Sequence, residues 1–163
     1  MESAVAFFTE RIESSLFVVT TAASPQEMSG CLVGFATQCS MVPPRYLVCI
    51  SKVNHTYAVV ERADSIVLHL LGSEQTEVAS IFGELTGDAQ DKFERCQWHP
   101  GITGAPVLAE CAAWLEGRIL ERFGTGDHQA LVVRPLRGGG GGCAGVMTNQ
   151  TAPTFQPGHP ATA

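Results

Sequence analysis

The spacing of hydrophobic positions changes several times along this chain, and each change marks an element. In residues 3–13, Val5, Phe8 and Ile12 recur at helical intervals, with Glu10, Arg11 and Glu13 off that face. This spacing predicts an amphipathic helix. Beyond it, SLFVVTTAA (15–23), CLVGFATQCS (31–40) and RYLVCIS (45–51) are rich in Val, Ile, Thr and aromatic residues. Turn signals at Ser24-Pro25 and Pro43-Pro44 separate them, which predicts three strands. Asn54 is placed to cap a helix reaching about Arg62, and SIVLHLLG (65–72) returns to strand character. Ser73 is then placed to cap a second helix, in which Val78, Ile81, Phe82 and Leu85 form one apolar stripe.

The second half is read the same way. A short helical piece is expected at Lys92-Phe93 and a loop over WHPGITGAP (98–106), from its Gly and Pro content. CAAWLEGRILERF (111–123) and HQALVVRP (128–135) flank Gly124-Thr125-Gly126-Asp127, which predicts a hairpin. From Gly138 five consecutive glycines break the pattern, and the tail to Ala163 is rich in Pro and Gly. The expected organisation is a domain over residues 1–137 followed by a segment, 138–163, read either as a disordered end or as a piece that packs on a partner subunit. The chain as a whole predicts a mainly β protein with inserted helices, a small barrel rather than a parallel sheet.

Composition narrows the function. A length of 163 residues suits one domain, and 45% hydrophobic with 16% charged residues excludes a disordered chain. A net charge of −6 offers no general attraction to nucleic acid or to an anionic membrane, so any phosphate site has to be local. With no basic leader and no long apolar run, a cytoplasmic protein is expected. The six cysteines are scattered without Cys-x-x-Cys pairs, which argues against a zinc cluster or a disulfide scaffold and predicts mostly reduced core thiols.

The stretch GFATQCSMVPPRYLVCISKVNHTYAVV (34–60) carries the candidate chemistry. A helix start presents unsatisfied N–H groups, and Ser51, Lys52, Asn54 and Thr56 add a cation and hydrogen-bonding side chains suited to a phosphate. The helix dipole contributes only about 0.3–1 kcal/mol, whereas micromolar binding needs roughly 8 kcal/mol. Burying a flat aromatic face supplies about 5 kcal/mol more. The ligand that fits is therefore a planar ring with a phosphate tail. From local sequence alone a plainer reading stays open, in which Asn54 merely caps a helix and Lys52 is a solvated surface charge. Neither a dinucleotide-fold glycine fingerprint nor a P-loop occurs.

The order of these pieces resembles the flavin reductase-like, FMN-binding split-barrel family. The resemblance runs through FVVTT (17–21), residues 34–57, DKFERCQWHPGITGAPVL (91–108) and AWLEGRILERFGTGDHQALVV (113–133), with PGHPA (157–161) as a further match. It implies a six-stranded Greek-key split barrel, homodimeric, with flavin bound in a groove near the subunit interface and reduced by NADH or NADPH. In that picture Thr37, Gln38, Cys39 and Ser40 line the ring and ribityl chain of FMN or FAD, and Cys49, Ile50 and Ser51 form the adjoining wall. Ser51, Lys52, Asn54 and Thr56 hold the phosphate, and Lys92 reaches it from another element. His128, in Gly126-Asp127-His128, matches the family position associated with nicotinamide binding and is the catalytic candidate.

The resemblance implies an NAD(P)H:flavin oxidoreductase that supplies reduced flavin to a separate monooxygenase. Two alternatives stand beside it: an FMN-dependent oxidoreductase acting on a specialised small molecule, and a flavin- or haem-binding module without nicotinamide turnover. The sequence departs from the usual pattern at Gln38-Cys39, at Val42 before the prolines and at His55, where an arginine is common. His69, alternating within an apolar strand, reads as a satisfied core residue. His99 and His159 form no metal triad with His128. Trp114 reads as core, and Trp98 either as core or as a border of the flavin groove.

Overall fold

The computed structural model describes residues 2–84 and 91–156. Helix α1 (Glu2–Thr9) precedes β1 (Phe17–Ser24), β2 (Glu27–Val33), β3 (Ala36–Met41) and β4 (Pro44–Ser51). A short helix α2 (His55–Val60), strand β5 (Ser65–Leu70), helix α3 (Thr76–Glu84) and a 3-10 turn (Lys92–Glu94) follow. The chain continues through β6 (Trp98–Pro100), β7 (Pro106–Leu108) and the long strands β8 (Ala113–Gly124) and β9 (His128–Gly139). Leu85 of the expected stripe, His159 and PGHPA (157–161) lie outside the described residues.

Seven strands pair antiparallel in the order β2-β1-β5-β8-β9-β4-β3. The ends of this sheet share one interior: Cys31 and Val33 of β2 pack in the same cluster as Val48 and Ile50 of β4, with Val19, Ile66, Leu68, Leu131 and Val133. That is the expected mainly β split barrel, with one strand more than the six anticipated. The extra strand arises because the run expected at 31–40 is broken at Gly34 and Phe35, where the chain changes partner from β1 to β4.

A second layer covers the outside of β1 and β2. Val18 joins Val78, Ile81 and Phe82 of α3, together with Phe93, Leu108 and Met147, in a separate cluster. β1 is therefore buried on both faces, which explains its continuous rather than alternating apolar run. The described part of the tail packs back on its own chain. Met147 N donates to Leu71 O at 2.9 Å, and its carbonyl accepts from Leu16 N, also at 2.9 Å.

Several local expectations are corrected. The residues 98–106 are not all loop, since β6 and β7 form a small hairpin. Ser73 does not cap α3, which starts at Thr76; its hydroxyl bonds to Glu74 instead. The glycine run does not begin as a joint: Gly138 and Gly139 are strand residues opposite Leu115 and Trp114. A side chain at Gly139 would meet the Trp114 ring at 3.1 Å, so close packing is what glycine permits there.

Two buried polar side chains tie the layers together. Glu116, 0% exposed, accepts from Ile102 N at 3.2 Å and from Thr103 N and Oγ1 at 2.8 and 2.7 Å, fixing the turn between β6 and β7. His69 is satisfied as expected: with Val18 O as its acceptor, Nδ1–H donates at 3.0 Å, and Nε2 accepts from Leu108 N at 3.0 Å.

Burial holds His69 neutral and pushes its pKa from 6.5 down to about 4. The unfolded chain therefore binds a proton that the folded chain refuses, and stability is lost as pH falls from about 6.5 towards 4. Urea titrations over this window are expected to show a loss of about 3 kcal/mol from this residue. His69→Gln, which keeps a donor and an acceptor, should flatten that part of the pH profile.

Candidate functional site

The candidate stretch 34–60 and the Gly126-Asp127-His128 turn, far apart in sequence, meet at one end of the barrel. β4 pairs with β9 in a register that sets Ser51 opposite His128 and Cys49 opposite Ala130. One residue on, Lys52 N donates to Asp127 O at 2.9 Å, and Lys52 Nζ donates to Gly126 O at 2.6 Å. Gly126 has φ of +125°, a conformation open to glycine, which lets its carbonyl face the lysine.

His128 is oriented on two sides. Its Nδ1 lies 2.8 Å from Asp127 Oδ1, and its ring is 5.2 Å from that of Phe35 at a tilt of 56°. The hydrogen bond from His128 is the largest of the effects that hold the Asp127 carboxyl below its usual range. An ionised carboxylate only accepts, so Nδ1–H is the donor in this contact, and in the neutral ring Nε2 is then left as an acceptor. Phe35 is itself 61% exposed, an uncovered aromatic beside a half-buried imidazole.

β3 forms the neighbouring wall. Among the described residues it pairs only with β4, so its other edge presents backbone groups that no described strand pairs, and a register shift between Gln38 and Ser40 puts Cys39 in a bulge. Thr37, Gln38 and Cys39 are exposed. Gln38 Nε2 donates to Ser40 O at 3.0 Å, and Ser40 Oγ to Pro43 O at 2.6 Å, so both side chains brace the turn. The side chain of Ile50 lies in the barrel interior at 0% exposure, which leaves only its backbone for a ligand.

The α2 start divides the remaining candidates. Asn54 caps the helix, its Oδ1 accepting from Thr56 N at 3.0 Å. Thr56 is buried, and its hydroxyl meets Ser29 Oγ at 2.9 Å. Lys92 is 5% exposed and donates to Gly30 O at 2.9 Å and Phe82 O at 3.2 Å. It lines a cavity of about 240 Å³ with Ser29, Gly30, Asp91 and Phe93. Burial pushes its pKa down, with the Cys31 thiol opposing that shift. The structure thus joins Ser51, Lys52 and His128 directly, and joins Thr56 to Lys92 through Ser29 and Gly30.

Phe35 and Ser29 are not among the candidates read from the sequence, and Asp127 enters there only as part of the hairpin turn and of Gly126-Asp127-His128. Asp127 had a signal, its place beside His128; the other two are brought in by pairing between distant segments. Trp98 packs edge-on against Phe93 at 5.7 Å and borders a separate cavity of about 440 Å³ with Ala22, Pro25 and Met28. Trp114 packs on Val67, Ala105 and Val107. Among the described residues no group of His, Cys, Asp or Glu is arranged to hold a metal ion, and no helix is long and apolar enough to cross a membrane.

The fold and this end of the barrel define a flavin reductase-like split barrel, and the chain belongs to that family: the flavin reductase like domain matches residues 9–146. Its relatives include an FMN reductase (NADH), RutF 1, of Methylorubrum extorquens, 30% identical over 74% of this chain and 59% of the relative. The stachydrine N-demethylase reductase subunit Stc3 of Rhizobium meliloti is 31% identical over 71% of this chain and 50% of the relative. The chain spans about half the length of several curated relatives it matches. Among solved structures, a flavin reductase domain protein from Arthrobacter sp. FB24 superposes with a TM-score of 0.83 at 21% identity, covering 100% of this chain and 99% of the other.

The cysteines divide more evenly than expected. Cys31 and Cys111 are buried, Cys49 and Cys96 half-buried, and Cys39 and Cys143 exposed. Burial pushes the Cys31 and Cys111 thiols up to about 11. A disulfide reagent at mildly alkaline pH should therefore modify Cys39 and Cys143 promptly, and Cys31 and Cys111 only after unfolding. Mass-spectrometric mapping of the labelled peptides checks the order.

Proposed function

We propose that this chain is an NAD(P)H:flavin oxidoreductase acting on FMN or FAD. The observation that carries the reading is the register of β4 and β9, which gathers Ser51, Lys52, Asp127 and His128 beside the open edge of β3. Family membership and the names of the relatives supply the reaction class.

The residues present fit a flavin. An isoalloxazine ring is flat and rimmed by alternating donors and acceptors, which the unpaired edge of β3 can match through Thr37, Gln38, Cys39 and Ser40. Lys52 has three ammonium protons and uses one on Gly126, which leaves charge and donors for a phosphoryl group next to the Ser51 hydroxyl. The six-residue α2 adds little dipole, and Asn54 already occupies the Thr56 N–H, so Lys52 is the principal phosphate partner. The side chains of Thr56 and Lys92 support this region from inside.

The bound flavin supplies the hydride-accepting chemistry. What the chain must do is bring a nicotinamide ring face to face with it. His128, with Nδ1–H committed to Asp127, offers Nε2 as an acceptor for the nicotinamide carboxamide, while Phe35 restricts the ring's swing. No protein nucleophile or general acid is needed for such a transfer. Reduced flavin then passes to a separate monooxygenase, in line with a relative named as the reductase subunit of a demethylase. The working unit is a homodimer.

The test is oxidation of NADH and NADPH followed by absorbance, with and without added flavin. His128→Ala should raise the nicotinamide KM about tenfold, the loss of one hydrogen bond, while flavin affinity holds. Lys52→Met should weaken FMN about tenfold and leave riboflavin, which lacks the phosphate, unchanged in fluorescence titrations. Equal losses for both flavins would remove Lys52 from the phosphate site.

A further inference from the structure

α1 carries the apolar stripe predicted from the sequence, yet the barrel does not cover it. Phe7 and Phe8 are 61% and 69% exposed, Val5 is 61% and Ile12, just beyond the helix, is 42% exposed. At about 200 Å² per aromatic side chain, these four residues leave roughly 400 Å² of apolar surface open, well within the range that marks an interaction site. The helix has eight residues, and isolated helices shorter than about 12–15 residues are marginal in water. Its persistence calls for a covering surface.

Among the described residues, the chain's own polar contacts hold the base of this arm. Ser14 N donates to Asn149 Oδ1 at 2.8 Å, Asn149 Nδ2 to Ile12 O at 2.9 Å, and Thr148 Oγ1 to Glu13 at 2.8 Å. At the arm itself, Arg11 donates to Phe7 O at 2.7 Å and lies 3.4 Å over the Phe7 ring, which stiffens the helix end without covering Val5 or Phe8.

We infer that α1 is a docking arm whose exposed Val5, Phe7, Phe8 and Ile12 seat on a second copy of this chain. The inference rests on the homodimer proposed above and names the surface that makes it. The area matches. In a two-fold pair each subunit gives one arm and receives one, so roughly 400 Å² given and a similar area covered come to about 800 Å² per subunit, the usual size of a stable interface. The chain also exposes apolar side chains to receive an arm: Met41 and Val42 at the β3–β4 turn are 81% and 94% exposed, and Leu120, Phe123 and Leu136 on β8 and β9 are 44%, 46% and 38% exposed. A membrane is the poorer occupant. A helix lying on lipid carries a basic polar face, whereas Glu10, Arg11 and Glu13 follow this one and the chain has a net charge of −6.

Sedimentation velocity of the full chain across a wide concentration range tests the arm. The unaltered chain is expected to sediment as a dimer, and Val5→Glu with Phe8→Glu to raise the dimer dissociation constant at least a hundredfold, with the far-ultraviolet spectrum of the barrel retained. Val5→Ala with Phe8→Ala, which keeps helix propensity and adds no charge, should weaken the dimer in the same direction and serves if the glutamate variant misfolds. A dimer equally tight in the variants overturns the arm and leaves the homodimer standing. An unaltered chain that stays monomeric overturns both.

Discussion

The site depends on one strand pairing. β4 and β9 run antiparallel with Ser51 across from His128, and the pairing extends past the strand end through Lys52 N to Asp127 O. A slip of one residue would turn the apolar set of one of the two strands, Val48 and Ile50 or Leu131 and Val133, out of the barrel interior, and a slip of β9 would carry His128 to the opposite face. The hydrophobic core and the placement of the imidazole are therefore specified by the same alternation. Lys52 Nζ on the Gly126 carbonyl then fixes the hairpin tip against the start of α2. The elements that would hold the two ends of a flavin and a nicotinamide are joined by backbone pairing rather than by mobile side chains.

The outer layer is held differently, by buried polar groups whose partners come from distant segments. His69 links β1 to β7, Glu116 fixes the β6–β7 turn, and Lys92 bridges β2 to α3. Each would cost several kcal/mol if left unpaired, so each specifies where its layer docks. Thr20, whose hydroxyl donates to Pro106 O, adds a further tie between β1 and β7. The layer that flanks the barrel is thus positioned by hydrogen bonding, while the barrel interior is apolar.

Features governed by local chemistry were legible in the sequence. Asn54 caps α2 through its own side chain, the Gly124–Asp127 turn closes a hairpin, and the alternation around His69 marks a core histidine. What escaped was set by contacts across the chain. The break at Gly34 and Phe35 is a change of strand partner, which composition does not encode, and the β6–β7 hairpin exists because Glu116 and His69 hold it. The resemblance gives Lys92 a phosphate to reach, and its enclosure between β2 and α3 is visible only in the structure. The Gly138–Gly139 pair reads as a joint until Trp114 is seen lying against it. For the candidate site, the Ser51–Lys52 end and His128 are both visible in the sequence, whereas Phe35 joins them only because the chain leading into β3 runs beside β4, with Cys49 N donating to Phe35 O.

The openness of this site follows from its place in the sheet. An edge strand can hydrogen-bond a planar ring only because no further strand occupies that edge, so the same feature that suits β3 to a flavin leaves it exposed to water and to unwanted strand pairing. The Cys39 bulge and the Pro43–Pro44 turn limit the second risk by interrupting a regular edge. The first is not met within one chain: Phe35 at 61% and Met41 at 81% exposure flank the strand uncovered. Hydride transfer benefits from a site closed to solvent, and a second subunit approaching this side would supply that closure. On the proposed homodimer, the apolar surface left by α1 and the open edge of β3 have one physical explanation, a barrel completed by association.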